Sequence, residues 1–162
     1  MRYLPLFIHT FTLYSPRKRE DAEKLNFRYR NYEEITDIPD RMRWCRHHLG
    51  LLKKDVAEHI GISESQYSHY ETGHADHIPK ETADKLAAFY HIPVNDLLDD
   101  YNRFLYHGQG QALLAHRKKL GMKKKPYARM LGVEESLYRA WESEKKQVSR
   151  KSWEKYLRQI LK

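Results

Sequence analysis

The sequence predicts an all-α chain built around two tandem helix–turn–helix units behind an N-terminal extension. Three observations predict it: a pair of short amphipathic helices hinged at Gly61, the return of the same pattern 71 residues later, and a basic charge concentrated in the last third. Residues 51–73 carry the first observation. Val56, Ala57 and Ile60 give one helix an apolar face at helical spacing. Ala57 has almost no side chain, so a second helix can cross close to the first. Gly61 ends the first helix as a residue able to adopt the left-handed conformation. Ile62 plugs the core, and Ser63 is placed to N-cap a helix over 63–71. Tyr67 and Tyr70 then face inward, leaving Glu64, Ser65, Gln66, Ser68 and His69 outward. Two helices joined by a tight glycine turn are a helix–turn–helix.

The spacing of Gly50-Leu51, Ala57, Gly61-Ile62-Ser63, Tyr67, Tyr70-Glu71 and Gly73 resembles the Cro/C1 repressor family, also called the XRE family, over residues 38–104. That family usually opens the first motif helix with Ser or Thr followed by a phosphate-clamping Gln. Leu52 and Lys53 stand there instead, which implies a weaker cap and a point charge as the clamp. The resemblance implies a repressor-like fold of four to five short helices per domain and site-specific binding of double-stranded DNA.

A single cysteine, Cys45, excludes an internal disulfide and fits a reducing, cytoplasmic compartment, with nucleoid association in a prokaryote. It shares a helix face with Met42 and Leu49 and reads as a buried structural thiol. No apolar run has the length of a membrane span. Residues 3–14 are apolar but hold Pro5 and His9 and lack a small-residue cleavage site, so they do not read as a secretory signal.

Charge is uneven. Residues 1–37 carry 7 basic and 6 acidic side chains, residues 38–105 carry 8 and 11, and residues 106–162 carry 15 and 5. The net charges of +1, −3 and +10 place the affinity for a polyanion in the last third.

Taken in order, residues 1–37 form the extension. The composition of 4–14 suits a strand, with Pro5 marking an edge or arm, and Ser15-Pro16 breaks it. Residues 19–35 suit a helix weakened by Asn26 and by Phe27, Tyr29 and Tyr32. The extension reads either as a locally packed leader, or as a dimerisation arm or cover for the body, and so as a route to self-association or to a protein partner. The first domain, 38–105, opens at Pro39 or Asp40. Pro79 starts a further helix with Ala83, Leu86, Ala87 and Tyr90 inward. A fifth helix is predicted over 94–104, with Val94, Leu97, Leu98, Tyr101 and Leu105 as its apolar positions.

The second domain, 106–162, follows from an internal repeat. At an offset of 71, ten of the 23 positions from Leu49 to Glu71 are identical to those from Leu120 to Glu142, without a gap. Predicted helices are 109–120, 124–131, 134–143 and 150–161, the last with Trp153, Tyr156, Leu157 and Ile160 as core. Pro126 falls in a first turn, where its missing donor costs little.

Arg46 with Glu71, and Arg117 with Glu142, recur at the same offset, one partner on the first helix and one at the end of the recognition helix. The family resemblance implies ion pairs that fix that helix and leave the arginine near a backbone phosphate. Base-reading candidates are Glu64, Ser65, Gln66, Ser68 and His69 in the first copy, and Glu135, Ser136 and Arg139 in the second. Phosphate candidates are Arg46, Lys53, Lys54, Arg117, Lys123, Lys124, Lys125 and Arg129. Carboxylates at the start of the second recognition helix favour its dipole but repel a phosphate, so one copy being a purely structural module stays open. His69, His74 and His77 lack the partners of a recognisable metal site, and no cofactor is implied. No phosphate-cradling glycine loop or nucleophile elbow points to an enzyme.

The resulting expectation is a transcriptional regulator, most simply a repressor. The competing reading keeps the fold but binds a protein in place of an operator, and carboxylates on both recognition faces suit it.

Overall fold

The structure, a computed structural model, describes residues 16–161. The strand or arm expected over 4–14 lies outside the described residues. Among the described residues the chain is all-helical, with no strand, and no helix is long and apolar enough to cross a membrane. The described residues divide into two compact units, the first ending at Leu97 and the second starting at Leu98.

In the first unit, α1 spans Pro16–Arg28 and a 3-10 turn spans Tyr32–Glu34. The helix expected over 19–35 therefore ends early. Tyr29 and Tyr32 are drawn out of helical register by distant partners: the Tyr29 hydroxyl donates to Asp40 at 2.9 Å and that of Tyr32 to Asp96 at 3.0 Å. Helix α2 (Ile38–His48) starts at a proline-containing first turn, and Asp37 accepts from the Asp40 amide at 3.1 Å.

Helices α3 (Lys53–Ile60) and α4 (Glu64–Glu71) form the helix–turn–helix. Between them Gly61 takes φ +77°, a left-handed value that costs a residue with a Cβ about 1 kcal/mol. Ser63 Oγ accepts from the Gln66 amide at 3.1 Å and caps α4. The first motif helix is better capped than Leu52 suggests. Asp55, in its first turn, reaches back to accept from the Leu52 amide at 2.7 Å, which is half of a capping box.

Helix α5 (Lys80–Tyr90) and a 3-10 turn at Val94–Leu97 close this unit. Met42, Val56, Ala57, Ile60, Tyr67, Leu86 and Leu97 form its core, each no more than 3% exposed. Each of the larger aliphatic residues contributes about 1.5–3 kcal/mol by leaving water. The Tyr67 and Tyr90 hydroxyls meet inside this core at 2.6 Å, which satisfies both polar groups.

The continuous helix expected over 94–104 is corrected to two pieces. Asp99 is extended, at φ −74° and ψ 176°, and caps α6 (Asp100–Tyr106) by accepting from the Asn102 amide at 2.8 Å. An N-cap at that point ends one element and starts another. Tyr101 and Phe104, assigned by sequence to the first domain, pack in the core of the second unit with Leu113, Tyr127, Tyr138, Trp141 and Trp153.

There α7 (Gln109–Lys119), α8 (Lys124–Leu131) and α9 (Glu135–Glu142) follow the order of α2, α3 and α4. The turn between α8 and α9 is Gly132, at φ +70°. The segment after α9 is held from the core: Gln109, 5% exposed, donates to the Trp141 and Lys146 carbonyls and accepts from the Val148 amide. The last helix expected over 150–161 is also corrected. α10 covers Arg150–Ser152 and widens into a π turn over Trp153–Leu157, with the Arg158 amide bonded to the Trp153 carbonyl. Trp153 lies stacked on Phe104 at 4.5 Å between ring centroids, so the core takes Trp153 and Leu157 while Tyr156 and Ile160 stay at its edge.

Candidate nucleic-acid interface

The interface of a helix–turn–helix is the exposed face of its second helix and the cations around the start of its first. What holds α4 in place is Glu71, at its last turn and 0% exposed. Arg46, itself 6% exposed, donates from Nε to Glu71 Oε1 at 2.8 Å and from Nη1 to the Leu51 carbonyl at 3.0 Å. One guanidinium thus ties α2 to the end of α4 and to the loop that leads into α3. Lys53 joins them, with Nζ 3.5 Å from Glu71 Oε2 and 3.0 Å from Ser68 Oγ. Arg46 hydrogen-bonds one oxygen of this buried carboxylate, and Lys53 faces the other at ion-pair distance without a hydrogen bond, so charge neutralisation more than hydrogen bonding makes its burial tolerable.

His47 stands beside this group. Arg46 Nη2 lies 3.2 Å from His47 Nε2, a contact that requires a neutral ring as acceptor. Burial, together with the charges of Arg46, Arg43 and Lys53, pushes the imidazole down to about 3. Cys45, one turn from Leu49, is buried and its thiol is pushed up to about 12 by burial and Asp96, as suits a structural side chain.

The second unit repeats the arrangement. Arg117 makes a two-pronged contact with Glu142, Nε to Oε2 at 2.8 Å and Nη2 to Oε1 at 3.1 Å, and donates from Nη1 to the Met122 carbonyl at 2.8 Å. Lys124 Nζ lies 2.9 Å from Glu142 Oε1. Tyr138 adds a hydroxyl donor to Oε2 at 2.5 Å. Burial alone would raise the Glu142 carboxyl, but Arg117, Tyr138 and Lys124 outweigh it and hold it at about 2.

Glu64, Ser65, Gln66 and His69 are exposed on α4, and Ser68 is half-buried against Lys53. Gln66 Nε2 donates to the Tyr70 hydroxyl at 3.0 Å. On α9, Ser136 and Arg139 are exposed and Glu135 is half-buried. Arg139 is paired with Glu135 through Nε at 2.8 Å and Nη2 at 2.5 Å. An exposed pair one helical turn apart contributes only about 0.3–0.5 kcal/mol, so a guanine edge can displace it.

The phosphate candidates divide into two kinds. Lys54, Lys123, Lys125 and Arg129 are exposed, whereas Arg46, Lys53, Arg117 and Lys124 turn toward the two glutamates. The inward lysines were missed as members of the ion pairs. Their recurrence at the 71-residue offset was the available signal. Among the described residues, no group of three or more His, Cys, Asp or Glu side chains is placed to hold a metal ion.

Residues 42–97 match a family model described as a helix-turn-helix, a match that runs from α2 to the 3-10 turn at Val94–Leu97 and ends where the first unit ends. The chain therefore contains a helix–turn–helix domain. No curated protein and no solved structure matches the chain.

Proposed function

We propose that the protein is a sequence-specific regulator of transcription, acting as a repressor inside the cell, which reads duplex DNA with two tandem helix–turn–helix domains. The observation that carries this reading is the pair of matching frames. Arg46–Glu71–Lys53 and Arg117–Glu142–Lys124 each tie a short helix after a left-handed glycine turn to the two helices before it. Each frame presents an outward face: Glu64, Ser65, Gln66 and His69 on α4, and Glu135, Ser136 and Arg139 on α9. Domains of 38–97 and 98–162 suit this reading, with residues 1–37 as an extension.

Two readers in one chain would engage two half-sites about one helical turn apart, which a single-domain repressor reaches only by dimerising. Their roles would differ. Lys123, Lys125 and Arg129 surround α9 and would supply phosphate affinity, while α4, in a unit with an acidic balance, would supply readout.

The test is selection of bound duplexes from a random pool, run on wild type and Arg139→Ala. The expected result is one motif with two half-sites, degraded at one half by the substitution. Retention without enrichment would reduce the protein to a non-specific binder. Absence of any retained DNA at moderate salt would favour a protein-binding module that keeps this fold.

A further inference from the structure

We propose that α1, which precedes the matched domain, is part of the DNA-contact surface, with Lys24 and Arg28 gripping a backbone phosphate at the cleft they line together with Lys53. This deepens, and rests on, the DNA-binding reading above. A cleft of about 490 Å³ opens on the first unit, and α1 supplies one side of it through Lys24, Leu25 and Arg28. Its lining also includes Arg43, Arg46 and Lys53, and Glu64 from the first turn of α4. The cleft thus joins expected phosphate positions to an expected base-reading one, and α1 stands at its edge.

The helix is docked there by specific contacts. Leu25 is 7% exposed. Arg28 Nη1 lies 3.2 Å from Asp40 Oδ2, and the Tyr29 hydroxyl donates to the same oxygen at 2.9 Å. Asp40 also holds Arg43 at 2.9 Å through its other oxygen.

Charge decides between a grip and a cover. A segment that occluded the site in place of DNA would offer carboxylates to Lys53. α1 instead brings two cations and a leucine to the cleft. Two carboxylates that line it, Asp40 and Glu71, have side chains 6% and 0% exposed and are each ion-paired with two cations, Arg28 and Arg43 in one case and Arg46 and Lys53 in the other. The Arg28 side chain remains 68% exposed while anchored, so it can meet a phosphate without leaving Asp40. The added contacts are to the backbone, and they raise affinity without changing the preferred sequence.

The experiment is fluorescence anisotropy of a labelled duplex against sodium chloride concentration, with full-length wild type, Lys24→Ala, Arg28→Ala, the double variant, Arg28→Lys and Leu25→Ala. Each alanine at a cation should reduce the slope of log K against log salt by about 1, equally on matched and unmatched duplexes. Arg28→Lys should keep most of the slope. Leu25→Ala should lose it although both cations remain, because the helix that aims them is undocked. Wild type that binds DNA with a slope unchanged in the double variant would overturn the proposal, and tighter binding by the variants would recast α1 as a cover. Wild type that binds no duplex at any salt would remove the DNA reading itself, a result distinct from either.

Discussion

Arg46 and Lys53 of the first unit turn inward onto a fully buried Glu71, whereas the second unit surrounds its matching pair with Lys123, Lys125 and Arg129 at the surface. The frames are alike and the surfaces are not. Residues 1–97 carry 14 basic and 15 acidic side chains, and residues 98–162 carry 16 and 7. An ion pair that orients a helix is thus separable from the charge that attracts a polyanion, because the first is fixed by two or three buried groups and the second by many exposed ones. The same separation shows after each second helix. Gly73, at φ +72°, takes a left-handed turn against Pro39. At the equivalent position Glu144 adopts φ +58° and accepts from the Gly110 amide at 2.9 Å, capping α7 where Gly108 has no side chain to do so.

The largest effect that can break the comparison is removal of the carboxylates. Glu71→Gln should cost about 3–5 kcal/mol, since it leaves Arg46 buried without a counter-charge. Glu142→Gln should cost about 1–3 kcal/mol, because Arg117 and Lys124 have side chains 13% and 36% exposed and water can take over part of the solvation. Urea unfolding of both variants checks the order, and a reversal would mean that burial is not what sets the cost.

Acid should separate the units next. The His47 ring has a folded value of about 3 against an ordinary 6.5, so the stability it contributes is complete above pH 6.5 and falls as pH drops toward 3. The loss at pH 5 is about 2 kcal/mol. Glu142, at about 2 against an ordinary 4.5, contributes fully above pH 4.5 and loses its share only below it. Amide exchange at pH 7 and pH 5 should therefore show loosening over α2–α5 that the Glu142 pair does not share.

The smallest effect concerns the two left-handed turns. Gly73→Ala should cost about 1–2 kcal/mol, from the positive φ and from a Cβ placed 3.3 Å from Pro39 Cγ. Glu144→Gly should lie near zero, since relief of the backbone offsets the lost cap, whereas Glu144→Ala should cost about 1 kcal/mol. Thermal melts of the three variants distinguish these outcomes.

What was legible in the sequence follows from how local each signal is. Gly61, Ser63 and the apolar spacing of α3 and α4 act within a turn of the chain, and the structure ends α3 at Gly61 and starts α4 within a residue of the expected 63–71. The ion pairs were legible because both partners recur at one offset. The break at Asp99 was not, because apolar residues continue at helical spacing from Val94 to Leu105 and conceal a cap that works only through Asn102. Nor was the exit of Tyr32 from a helix, whose partner Asp96 lies 64 residues along the chain. The inward turn of Lys53 and Lys124 depends on the depth of Glu71 and Glu142, a tertiary quantity that no window of sequence contains.

If the second unit supplies most of the phosphate affinity and the first most of the base readout, with α1 adding phosphate contacts of its own, the salt dependence of DNA affinity tests that division most directly. The full chain would be compared with Lys123→Ala/Lys125→Ala/Arg129→Ala and with Lys54→Ala, on a selected duplex and on an unrelated one. The account predicts that the triple variant loses about 2–3 from the slope of log K against log salt on both duplexes, while Lys54→Ala loses at most about 1. An unchanged slope in the triple variant, or an equal loss in the two, would contradict it.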